Sequence, residues 1–138
     1  MAARLRELGL RRIVVCRLGE GAGVRSLGAE ASPAAWSACD AGPSRIVAAA
    51  REVAAADPQA VIVDGAIADA VVFIRALRAS GSFAMVVAAS SVDPADLARA
   101  LPPAATMWLA VAQTVRESHA GADRASRVRL ALVAGGER

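Results

Sequence analysis

The chain has 138 residues, 56% of them hydrophobic and only 3% aromatic, with a formal net charge of +3. That length fits one domain with a core of its own, and the hydrophobicity excludes a disordered chain. All 16 basic residues are arginine, none lysine, and they lie scattered among 13 acids, so no basic stripe points to nucleic acid.

Two cysteines in unrelated segments, Cys16 and Cys39, and the single histidine, His119, are too few for a zinc site. No metal and no cofactor is expected. Arg51, Asp57, Asp64, Asp69 and Arg75 interrupt the apolar stretches well short of a membrane span. With no signal peptide legible at the start, the expected location is cytoplasmic, without a membrane partner.

In chain order, residues 1–10 form a short extension in which Leu5, Leu8 and Leu10 can begin a helix. The run Arg11-Arg12-Ile13-Val14-Val15-Cys16 is continuously apolar after its two arginines, the pattern of a strand buried on both faces. Residues 18–35 are rich in Gly, Ala and Ser, with at most a short helix near 23–27. A weaker strand is expected at 34–39, and an Asp40-Ala41-Gly42-Pro43 turn follows it. Ser44 then offers an N-cap for a helix to about residue 55, with Ile46, Val47, Ala50 and Val53 on its apolar face.

Asp57-Pro58 stops that helix, and Ala60-Val61-Ile62-Val63-Asp64 reads as a second buried strand. Residues 67–79 are a helix with Val71, Ile74 and Leu77 or Arg78 at helical spacing, and 83–89 a third strand. Asp93-Pro94 opens a short helix to 101, with Asp93 as N-cap and Pro94 at its first position. A fourth strand is expected at 105–111 and a final helix at 122–134, its core side formed by Val128, Ala131 and Leu132. Apolar strands alternating with amphipathic helices predict an open parallel α/β sheet covered on both faces.

The segments Ala38-Cys39-Asp40-Ala41-Gly42-Pro43, Ala60 to Asp64, 73–90 and Ala105-Thr106-Met107-Trp108-Leu109 stand in the order of a bacterial response-regulator receiver domain. The chain resembles that family over roughly 11–134. The resemblance implies a five-stranded sheet in the flavodoxin-like order 2-1-3-4-5, with chemistry at the C-terminal strand ends. It also implies that Asp64 matches the phosphoacceptor.

The family's metal-binding acids would fall on Cys16 and Arg17, its hydroxyl switch on Ala89 with Ser90 beside it, and its lysine on Val111. Trp108 falls where the family carries a rotating aromatic. With Arg17 in place of an acid and no lysine, magnesium-dependent phosphoryl transfer has lost its charge-neutralising groups. An Arg17–Asp64 ion pair can fill the vacated pocket.

The expectation is a degenerate, non-catalytic signalling module. It would act through a protein partner or a second copy, using residues 93–134, and the partner could be a histidine kinase or a regulatory protein. The alternatives are a small-molecule or nucleotide site at the loop of Gly19, Gly21 and Gly23, and an atypical phosphoacceptor at Asp64. That loop departs from a dinucleotide fingerprint at Val24.

Overall fold

The computed structural model describes residue 7 and residues 9–19, 36–88, 92–116 and 126–133. Six strands form one sheet in the order β2-β1-β3-β4-β5-β6. They are β1 (Ile13–Leu18), β2 (Trp36–Ala41), β3 (Ala60–Asp64), β4 (Met85–Ala88), β5 (Leu109–Arg116) and β6 (Ser126–Leu132). The first five are mutually parallel, as the alternating apolar pattern predicts, and they follow the order 2-1-3-4-5 that the receiver resemblance implies.

Three helices are described: α1 (Ile46–Ala55), α2 (Ile67–Ala79) and α3 (Pro94–Ala100). Each connects one strand to the next in the same direction across the sheet. Right-handed crossovers therefore place all three on one face. The packing agrees. Ile46, Ala50 and Val53 of α1, Phe73, Ile74 and Leu77 of α2 and Leu97 of α3 share a core with Val14, Cys16, Val61, Val63, Val86, Leu109 and Val111. Alternation sends Ile13, Val15, Ala60, Ile62, Val87 and Ala112 to the other face, where they form a second buried cluster.

Side-chain chemistry caps the start of one of the three helices. Asp93 caps α3 as expected, its Oδ1 accepting from the Ala95 amide at 2.7 Å. Pro94 occupies the first turn, where its missing N–H costs nothing. Ser44, expected as a cap, instead lies inside a 3-10 turn, Pro43–Arg45, that leads into α1 without a side-chain cap. Asp40 and Ala41 belong to β2 and not to a turn, because the strand keeps pairing with β1 as far as Ala41.

Two expectations near the C-terminus are corrected. The strand placed at 105–111 begins only at Leu109. Pro103–Thr106 is a 3-10 turn, closed by Ala105 N donating to Pro102 O and Thr106 Oγ1 donating to Pro103 O at 2.7 Å.

The helix placed at 122–134 is not formed. Ser126–Leu132 is β6, antiparallel to β5. The sequence Arg127-Val128-Arg129-Leu130 alternates with period two, which a strand satisfies and a helix does not. The short spacing of β5 and β6 along the chain also suits a hairpin-like antiparallel return. The possible helices at 1–10 and 23–27 fall largely or wholly outside the described residues.

Candidate functional site

The sheet reverses direction between β1 and β3. The chain leaves β1 toward β2 on one side and leaves β3 toward β4 on the other. At such a switch point the connections diverge and leave a crevice beyond the C-terminal strand ends, the usual ligand position in open α/β sheets. Two glycines shape it. Gly65, just after β3, is so close to β1 that a Cβ there would lie 3.0 Å from both Leu18 Cβ and the Leu18 carbonyl oxygen. Gly19, just after β1, has φ +96° and faces the Asp69 carboxylate of α2, with Asp69 Oδ2 2.8 Å from where a Cβ would be. Its amide donates to Ala41 O at 3.0 Å, tying the end of β1 to the end of β2.

Gly65→Ala should therefore lower stability by about 1–3 kcal/mol, because the added methyl meets backbone that cannot swing away. Gly42→Ala, with open space around the new Cβ, serves as the control. Equal denaturation midpoints for the two variants would contradict the close approach.

Arg17, Asp40 and Asp64 form one row across this crevice. Register pairs Arg17 with Asp40 on one side and with Asp64 on the other. Val14, Cys16 and Leu18 turn to the helix face, as do Val61 and Val63. Arg17 and Asp64 therefore share the opposite face, and both are half-buried. Asp40 is exposed on the edge strand.

The expected Arg17–Asp64 ion pair is absent. Arginine–carboxylate pairs form elsewhere among the described residues, at Arg12–Asp57, Arg45–Glu52 and Arg99–Asp96. The crevice thus carries a guanidinium between two carboxylates, none of them joined to the others.

The remaining receiver-equivalent positions do not converge on Asp64. Cys16 is fully buried on the helix face, where it cannot stand in for a pocket acid. Val111 is fully buried there too, in register with Ala88. Trp108 precedes β5 and lies at the N-terminal end of the sheet, opposite Asp64. It is 65% exposed with φ +56°. Its expected place near the end of a strand is corrected by the later start of β5.

Ala89, Ser90, Gly21, Gly23 and His119 lie outside the described residues. No group of three or more potential metal ligands occurs among the described residues.

The surface expected to receive a partner, 93–134, is also rebuilt by the structure. Leu97, Leu101 and Leu109 are buried in the core, so they are not free to form an apolar patch. Leu132, in β6, is 75% exposed.

Sequence reading missed a second feature, an open hollow of about 320 Å³ between the β2 edge and α1. It is lined by Val14, Cys39, Ala49 and Val53, with Asp40 and the Arg45–Glu52 ion pair at 3.2 Å around it. Only the pairing of β2 with β1 and the docking of α1 create it, and neither is written in any local motif.

No protein-family model matches this chain, and no curated protein is significantly similar to it. A solved structure is similar in fold, the crystal structure of an extracellular ligand-binding receptor from Verminephrobacter eiseniae. The two superpose with a TM-score of 0.66 at 22% identity. The match covers 81% of this chain and 34% of the receptor. The chain thus spans about a third of the receptor's length, and the likeness is one of fold.

Proposed function

We propose that this domain binds a small polar molecule in the crevice between the C-terminal ends of β1 and β3. The observation that carries the reading is the row Asp40–Arg17–Asp64, a half-buried cation beside a half-buried carboxylate with no ion pair between them. A half-buried guanidinium without a carboxylate partner is suited to an anionic group brought by a ligand. Asp64 beside it accepts from an ammonium, amide or hydroxyl. Together they fit a small molecule that carries both an acidic group and a donor. The receptor of similar fold is a ligand-binding one, which supports the same reading.

The degenerate signalling module is the second reading. Its support is the strand order 2-1-3-4-5 with Asp64 closing the third strand. The β6 strand in place of a final helix weakens it, because that helix was half of the expected partner surface. A cytoplasmic location remains the expectation from the sequence. No helix among the described residues is long and apolar enough to cross a membrane. The receptor is described as extracellular, and cell fractionation distinguishes the two compartments.

Thermal shift and calorimetry with the whole chain test the proposal, using amino acids, small organic acids and nucleotides as probes. One class should give saturable binding. Arg17→Ala should weaken it about tenfold to a hundredfold, the loss of one charge-assisted hydrogen bond. Asp64→Asn should weaken it too. Binding indifferent to both substitutions would sink the crevice reading. A magnesium-dependent shift with beryllofluoride that Asp64→Asn abolishes would favour the signalling module instead.

A further inference from the structure

Cys16 and Cys39 are far apart in sequence, yet they are direct neighbours in the parallel register of β1 and β2. Both turn to the helix face, where Cys39 packs against the cluster that contains Cys16. Adjacent strands lie about 4.7–4.9 Å apart, inside the Cα separation of about 4.4–6.8 Å that a disulfide spans. Both side chains leave the sheet on the same face, so a bridge needs only a small approach of the two strands.

We propose that Cys16 and Cys39 form a redox-active thiol pair that a peroxide closes to a disulfide. The two cysteines differ in access. Cys16 is sealed in the core, whereas Cys39 lines the open hollow between β2 and α1. Cys39 is therefore the sulfur that meets an oxidant, and Cys16 the one that resolves it. The acidities agree with this division. A hydrogen bond to Cys39, reinforced by burial, pushes the Cys16 thiol well above the usual range. The same hydrogen bond holds Cys39 below it, against the opposing effects of burial, Asp40 and Glu52.

The chemistry balances in two steps. The Cys39 thiolate attacks one peroxide oxygen, the O–O bond breaks, and a sulfenic acid forms as hydroxide or alkoxide leaves. The Cys16 sulfur then attacks the Cys39 sulfur. The S–S bond forms, the S–O bond breaks, and the leaving hydroxide takes the Cys16 proton as water. Two thiols lose two electrons, and the peroxide gains them.

The bridge is a reversible one. A Cβ spacing near the strand separation exceeds the roughly 3.5–4.5 Å of a relaxed disulfide, and strain makes such a bond easier to reduce. Closure must draw the edge strand β2 toward β1.

The test treats the native chain with hydrogen peroxide, then alkylates it with iodoacetamide in denaturant and weighs it. The expected result is that both cysteines escape alkylation together, the chain is lighter by two hydrogens, and dithiothreitol under native conditions restores both. Cys16→Ala should stop the reaction at Cys39, where dimedone traps the sulfenic acid. Should that variant fail to fold, native wild type is compared with wild type in urea, where the pair is apart and closure should slow. Two thiols still alkylated after peroxide, an oxygen adduct on Cys39 with Cys16 still free, or equal rates in urea would each overturn the proposal.

Discussion

Phe73→Ala is expected to lower the unfolding free energy by about 3–5 kcal/mol, the usual cost of emptying a buried aromatic site. Phe73 is fully buried on α2, in the core that the helices share with the sheet. Ala49, Ala50, Ala70 and Ala84 share its cluster. Such short side chains cannot swing in to fill the space, so the cavity persists. A domain with about 5–15 kcal/mol in hand loses a large share of it, and the melting temperature should fall by about 10–20 °C. Phe83, 63% exposed just before β4, is the internal control. Phe83→Ala should stay within about 0.5 kcal/mol of wild type. Urea denaturation of the two variants checks this, and a larger loss at Phe83 than at Phe73 would contradict the packing described.

Arg78→Met should cost about 2–4 kcal/mol, although it removes a charge from a half-buried position. The guanidinium at the end of α2 donates to Ser82 O at 3.0 Å, to Ala84 O at 2.8 Å and to Met107 O at 2.7 Å. It thereby ties the turn before β4 to the residue that precedes Trp108, whose left-handed backbone leads into β5. Methionine fills the same track but leaves three carbonyls without that donor. Burial pulls the Arg78 guanidinium below its usual acidity range, and its buried Nε has no acceptor. The three carbonyl contacts outweigh that desolvation, each being a charge-assisted bond.

Arg78→Lys should recover only part of the loss, because the ammonium's donors all radiate from one nitrogen, whereas the guanidinium reaches the three carbonyls from two separated ones. Denaturant midpoints at unchanged slope give the energies. Amide exchange at Val86, which donates to Trp108 O at 2.8 Å, should accelerate with them. Unchanged exchange at Val86 would mean that Arg78 does not hold β4 and β5 in place.

The central strands β1, β3 and β4 were legible in the sequence because both of their faces are buried. Burial on both faces makes a strand apolar without interruption, as in Ile13 to Cys16 and Ala60 to Val63. Asp93-Pro94 was equally plain, since a cap and a first-turn proline act within one helical turn. Asp64 was placed correctly at the end of a central strand for the same local reason.

Other features depended on partners far along the chain. The period of Arg127-Val128-Arg129-Leu130 was present in the sequence, but a short run mixing Ala, Leu and Arg also fits a helix. Pairing with β5 decided for the strand. Leu77 and Arg78 compete for the same helical phase. The structure buries the first in the core and sends the second across to the carbonyls before β4 and β5.

The sequence by itself determined an aliphatic, doubly wound α/β sheet with Asp64 at a strand end, because hydrophobic periodicity is set residue by residue. Only the tertiary structure decided which side chains meet. Strand register put Arg17 beside Asp64 without pairing them, sent Val111 to the opposite face, and brought Cys16 beside Cys39. Register is a relation between distant segments, and one residue of slip would send each of these side chains to the other face.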